Sequence, residues 1–117
     1  MHQSQLAGLI IDCQTDDLDQ AAEFWSQALG LTLKPSIDPA EDQYRALATE
    51  PNKPYIEVQK VEHPSRVHID IETNDVEAEV QRLEGLGATR VTHVRTWWVM
   101  EAPTGHRFCV VPMKADL

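Results

Sequence analysis

HIDIETNDVE, residues 68–77, restates with few changes a stretch used fifty-eight positions earlier, IIDCQTDDLD at residues 10–19. Ile11 pairs with Ile69, Asp12 with Asp70, Thr15 with Thr73 and Asp17 with Asp75, while His68 takes the place of Ile10. One gap later Leu29-Gly30 meets Leu86-Gly87. Further on, EPNKPYIEVQ (50–59) parallels APTGHRFCVV (102–111), with Pro51 on Pro103, Ile56 on Phe108, Glu57 on Cys109 and Val58 on Val110. The offset falls from 58 to 52, so the second copy is shorter, most simply in a loop. One structural unit is written twice, with different chemistry at a few positions.

Each copy opens with a strand. In RVHIDIET (66–73), Val67, Ile69 and Ile71 alternate with His68, Asp70 and Glu72, the period of a half-buried strand. LIIDCQ (9–14) alternates in the same way. A helix is expected after each strand. Asp16 with Asp19, and Asn74 with Glu77, have capping-box spacing. Leu18, Ala22, Trp25 and Leu29, and then Val76, Val80 and Leu83, recur at helical spacing. Gly30 and Gly87 stand where a left-handed terminal residue is wanted. Short strands at about 31–34, 43–49 and 55–61, and again at about 89–95, 97–101 and 107–112, complete the copies. The expected fold is α+β: two βαβββ modules, about 6–61 and 66–113 within one domain of residues 1–117. They are related by a pseudo-twofold, and their sheet is mixed and curves around a trough.

Bulk properties narrow the function classes. The 117 residues are 42% hydrophobic and 25% charged, and no apolar run approaches the ~20 residues of a membrane span. Net charge is −9 with no Lys/Arg cluster, which argues against nucleic acid and anionic membranes as partners. The N-terminus shows no basic region and no small-residue cleavage site, so no signal peptide is read and a cytoplasmic location is expected. Cys13 and Cys109 form no CxxC pair, and two reduced thiols are the expectation.

The duplicated βαβββ of this length resembles the vicinal oxygen chelate superfamily of glyoxalases, bleomycin-resistance proteins and extradiol dioxygenases. The stretches that carry the likeness are DDLDQAAEFWSQALGL (16–31), RVHIDIETNDVEAEVQRLEGLGAT (66–89) and the closing APTGHRFCVVP (102–112). The last is similar to the family's Asp-Pro-x-Gly turn and final strand, with Ala102 in place of the Asp. Detail is nearest to the glyoxalase-like domain branch. The resemblance implies a small-molecule ligand and a homodimer. Metal-dependent members take up to four ligands facing the trough, which the resemblance carries onto Ile10, Glu57, His68 and Cys109.

Isoleucine cannot bind a metal, and a thiol binds one only as thiolate. No cofactor is therefore expected. If a divalent metal is present, its ligands are Glu57, His68 and Cys109. Strand parity sends Asp12, Gln14, Tyr55, Glu57, Gln59, His68, Asp70, Glu72, Arg107 and Cys109 to the trough, and Ile56, Val58, Val67, Ile69, Phe108 and Val110 to the core. Glu57, His68, Asp70, Trp98, Arg107 and Cys109 are the expected ligand contacts. Asp12 and Asp70 are equivalent in the repeat, so a structural role common to both is expected, such as bonding backbone at the module seam. Trp97 and Trp98 face opposite ways, and alternation alone does not say which enters the core. A Cys109 nucleophile with His68 as base lacks, in the sequence, an oxyanion hole and a third, orienting group. The first functional reading is metal-independent ligand binding of the bleomycin-resistance type. The alternative is a metal-dependent lyase, isomerase or dioxygenase.

Overall fold

The computed structural model of the chain describes residues 1–35 and 42–113. It is α+β, with two helices and seven strands of a mixed sheet among the described residues. These residues gather into two compact units, Gly8–Val67 and a second made of Met1–Ala7 with the chain from His68 onward.

The first unit holds most of strand β1 (Ser4–Gln14), helix α1 (Leu18–Leu29), β2 (Tyr44–Leu47) and β3 (Tyr55–Val61). The strands lie in the order β2-β3-β1. β1 and β3 run parallel with Ile10 opposite Glu57 and Asp12 opposite Gln59, and β2 runs antiparallel to β3. The strand expected at 31–34 is reduced to one bridge, Leu33 to Leu47, flanked by Lys34 N–H to Ala46 O and Ala48 N–H to Thr32 O. Leu18, Ala22, Leu47, Val58 and Cys13 form its core, with Ile11, Trp25 and Ile56 packed against them. Leu29, read as part of the helix's apolar stripe, is exposed.

The second unit holds β4 (Arg66–Thr73, from His68), α2 (Val76–Gly85), β5 (Thr89–Val94), β6 (Trp97–Glu101) and β7 (Arg107–Pro112). Their order is β4-β7-β6-β5, with β4 parallel to β7 and the other pairs antiparallel. Val80, Leu83, Ala88, Met100 and Val110 make its core, joined by Ile71, Val76, Trp98 and Phe108. Val67 and Ile69, expected in the core, are 56% and 45% exposed. They share the helix-side face of β4 with Ile71, but α2 packs over β5, β6 and β7, so only the end of β4 is covered.

The helices start one residue later than the capping-box spacing suggests. Asp17 accepts from Gln20 N–H at 3.0 Å and Asp75 from Ala78 N–H at 3.1 Å, so these aspartates are the N-caps. Thr15 and Thr73 brace them, each receiving the aspartate's N–H on its hydroxyl. That accounts for the recurrence of T-x-D in both copies. At the far ends Gly30 (φ 67°) and Gly87 (φ 105°) take positive φ, and Leu31 and Ala88 donate back to Ser26 O and Leu83 O.

Candidate functional site

On a strand, successive side chains point to opposite faces, so the register of the second unit fixes what its sheet presents away from α2. Asp70 stands opposite Cys109, Val99 opposite Cys109 from the other side, and Glu101 opposite Arg107. The uncovered face therefore carries His68, Asp70 and Glu72 from β4, Arg107 and Cys109 from β7, and Trp97, Val99 and Glu101 from β6. Four of the expected ligand contacts, His68, Asp70, Arg107 and Cys109, thus lie on one surface within one unit.

Three of them converge. His68, Asp70 and Cys109 each offer a donor atom, and these atoms lie within 4.8 Å of one another. His68 Nε2 is 3.5 Å from Asp70 Oδ1. Asp70 is buried, at 7% exposure, and His68 and Cys109 are half-buried. Around them Arg107 Nε donates to Glu101 at 3.1 Å, and Gln5 Nε2 donates to Glu72 at 2.6 Å. Asp70 Oδ1 is thus the carboxylate oxygen that the His68 ring faces.

Trp98 is a correction. It stands opposite Val110, packs into the helix-side core, stacks on His93 at 4.8 Å and lies under the Arg90 guanidinium at 4.9 Å. Arg90 is itself gripped by Glu77 and Glu84 from α2, so the indole is fixed between strand and helix. Trp97 is the tryptophan on the face of Cys109. Trp98 shares the parity of Met100, whose side chain is wholly buried.

In the first unit, the face away from α1 carries Ile10 and Asp12 from β1, Glu57 and Gln59 from β3, and Tyr44 and Ala46 from β2. Ile10 is 2% exposed and sits directly opposite Glu57. The four positions carried over from the resemblance therefore do not fit a metal as a set, since a buried hydrocarbon fills one of them. Asp12, equally buried, has His63 Nε2 at 3.9 Å and Arg66 Nε at 4.0 Å. Cys13 belongs to the helix-side core; burial pushes its thiol up, with a lesser contribution from Asp12, so it is no thiolate donor.

The sequence repeat does not set Asp70 opposite Cys109, for a definite reason. The repeat equates Ile10 with His68 and Glu57 with Cys109, and Ile10 does face Glu57. In the second unit, however, Cys109 faces Asp70, two residues beyond His68. A two-residue slip preserves the face while changing the neighbour.

Residues 8–111 match a family described as a glyoxalase-like domain. No curated protein matches the chain. Among solved structures, a hypothetical protein from Bacillus halodurans is similar with a TM-score of 0.68 at 14% identity, over 97% of this chain and 97% of that one. Methylmalonyl-CoA epimerase from Mycobacterium tuberculosis gives 0.67 at 17% identity, over 94% of this chain and 88% of its own. The Streptomyces coelicolor methylmalonyl-CoA epimerase, in complex with 2-nitronate-propionyl-CoA, gives 0.65 at 17% identity over 95% and 98%. At such identities the likeness shows the fold alone.

Proposed function

We propose that this chain, which belongs to the glyoxalase-like domain family of the vicinal oxygen chelate superfamily, binds a small organic molecule against the sheet face that carries His68, Asp70, Arg107 and Cys109. The observation that supports this is the convergence of an imidazole, a carboxylate and a thiol, with the Arg107 guanidinium on the same face, which α2 leaves uncovered. Polar groups converging from two strands beside an indole, Trp97, and an aliphatic wall, Val99, make the usual chemistry of a ligand site. Glu57 lies in the first unit, on the face away from α1, and a ligand contact there is a separate proposal.

Two forms of this function are distinguished by different residues. Metal-independent sequestration of the bleomycin-resistance type is supported by Ile10, which removes a ligand position. The second reading, a lyase, isomerase or dioxygenase acting on an oxygenated substrate, is favoured by Asp70, which raises the donors within reach of one another to three. One similar solved structure, the Streptomyces coelicolor methylmalonyl-CoA epimerase, is in complex with 2-nitronate-propionyl-CoA, so acyl-CoA esters belong in any ligand screen. Homodimer formation and a cytoplasmic location are part of the proposal. Exposed Val67, Ile69 and Leu9 on strands support the former.

The test is a metabolite screen read by thermal shift and tryptophan fluorescence on the wild type and on Trp97→Phe. A hit should quench the wild type, lose most of that signal in Trp97→Phe, and weaken at least about tenfold in His68→Ala. Hits that survive replacement of His68, Asp70 and Arg107 together would remove this face as the functional surface.

A further inference from the structure

We propose that His68, Asp70 and Cys109 form a three-ligand site for a thiophilic divalent cation, zinc first among them, held wholly within the second unit. The donor set differs from the one the family positions suggest: Asp70 replaces Glu57, and Ile10 has no part. The proposal does not rest on the organic-ligand reading above, and either can fail alone.

The geometry carries the argument. Donor atoms around one tetrahedral ion with bonds of about 2.0–2.3 Å stand about 3.2–3.8 Å apart. His68 Nε2 and Asp70 Oδ1, at 3.5 Å, are already at that separation, and all three donor atoms are within 4.8 Å of one another. Closing the rest takes about 1 Å of movement by side-chain tips, with no change of register. The backbone sets this up. His68 and Asp70 are alternate residues of one strand, and Cys109 is the cross-strand partner of Asp70 on the parallel neighbour. Strand pleat thus points three side chains at one spot.

Donor chemistry then selects the ion. A thiolate, an imidazole and a carboxylate suit zinc and cobalt, and disfavour magnesium and calcium, which want oxygen alone. Three protein ligands leave a fourth position for water or a substrate oxygen, the arrangement of reactive rather than purely structural zinc sites. The thiol proton must leave as the ion enters, so binding strengthens with rising pH and releases a proton. Cys13 offers nothing comparable, being in the helix-side core of the other unit.

The full chain, stripped with a chelator and kept reduced, is titrated with Co²⁺ and then with Zn²⁺ against a chromogenic chelator. Expected are one cobalt per chain, a sulfur-to-cobalt charge-transfer band in the near ultraviolet, strong visible bands of a four-coordinate ion, and their loss when zinc is added. Cys109→Ser should erase the charge-transfer band and Cys13→Ser should leave it. His68→Gln and Asp70→Asn should each weaken binding by more than the about 10–100-fold that an outer-shell partner costs. Glu57→Gln should change it little. A missing charge-transfer band in the wild type overturns the proposal. So does a band that survives Cys109→Ser. If Asp70→Asn costs less than that range while Glu57→Gln abolishes binding, the family's donor set operates and this one does not. The wild-type spectrum alone decides whether a thiolate site exists, so an unfolded variant does not shield the proposal.

Discussion

At the scale of single residues, the buried acids divide the work. Glu79 on α2 has no exposed side-chain surface, yet Arg82 grips it through Nε at 2.8 Å and a terminal nitrogen at 2.7 Å, and His2 Nε2 meets it at 2.8 Å. Arg82 above all, with help from the His2 hydrogen bond, holds its carboxyl down at about 2, against burial. A depressed carboxyl contributes stability that is present above its unfolded value near 4.5 and is lost as the pH falls towards 2. Melting temperature should therefore drop through that window, and Glu79→Gln should flatten the drop. Exposed Glu77, also held at about 2 by Arg90, acts in the same window. Being at the surface, its share should be screened by salt, so a comparison at high ionic strength isolates Glu79. An unchanged slope in Glu79→Gln would refute the assignment. Asp12 makes a second case: it is buried while His63 and Arg66 beside it are substantially exposed, so Asp12→Ala should cost about 0.5–1.5 kcal/mol, the worth of the lost interactions. Chemical denaturation measures this, and cobalt binding should be untouched.

At the scale of elements, the two helices use one grammar at both ends. Thr15 and Thr73 brace N-caps Asp17 and Asp75, and Gly30 and Gly87 turn the chain back. The glycines are not equivalent. At Gly30 (φ 67°) a Cβ would meet nothing within 4 Å, so Gly30→Ala should cost only the left-handed backbone penalty of about 1–2 kcal/mol. Gly87 has φ 105°, outside the left-handed helical basin, and a Cβ there would stand 3.1 Å from Pro103 Cγ. Gly87→Ala should be the more damaging of the two, a ranking that paired urea melts would confirm or reverse. The missing strand at 31–34 is another effect at this scale. Thr32 and Lys34 still bond to Ala48 and Ala46, but only a single bridge forms, and the chain leaves β2 with four residues.

At the scale of the whole molecule, a net charge of −9 shapes what approaches it. Among the described residues no helix is long and apolar enough to cross a membrane. A negative field raises the local concentration of cations, so a cationic guest or a divalent ion should bind more weakly as salt rises, and a neutral guest should show little change. Titration calorimetry at two ionic strengths checks this. Equal salt dependence for cationic and neutral hits would remove long-range attraction from the account.

By itself the sequence determined the α+β class, the duplicated order of elements, the helix-ending glycines and the placing of His68, Asp70, Arg107 and Cys109 on one sheet face. All of these follow from periods of 2 and 3.6 and from the conformational needs of single residues, which are local. The tertiary structure alone decided which tryptophan enters the core, that Val67 and Ile69 stay exposed, and that Cys109 faces Asp70 and not His68. Those outcomes depend on where α2 lies across the strands and on a two-residue slip in pairing. A slip of two keeps every side chain on its face, so alternation in the sequence carries no trace of it.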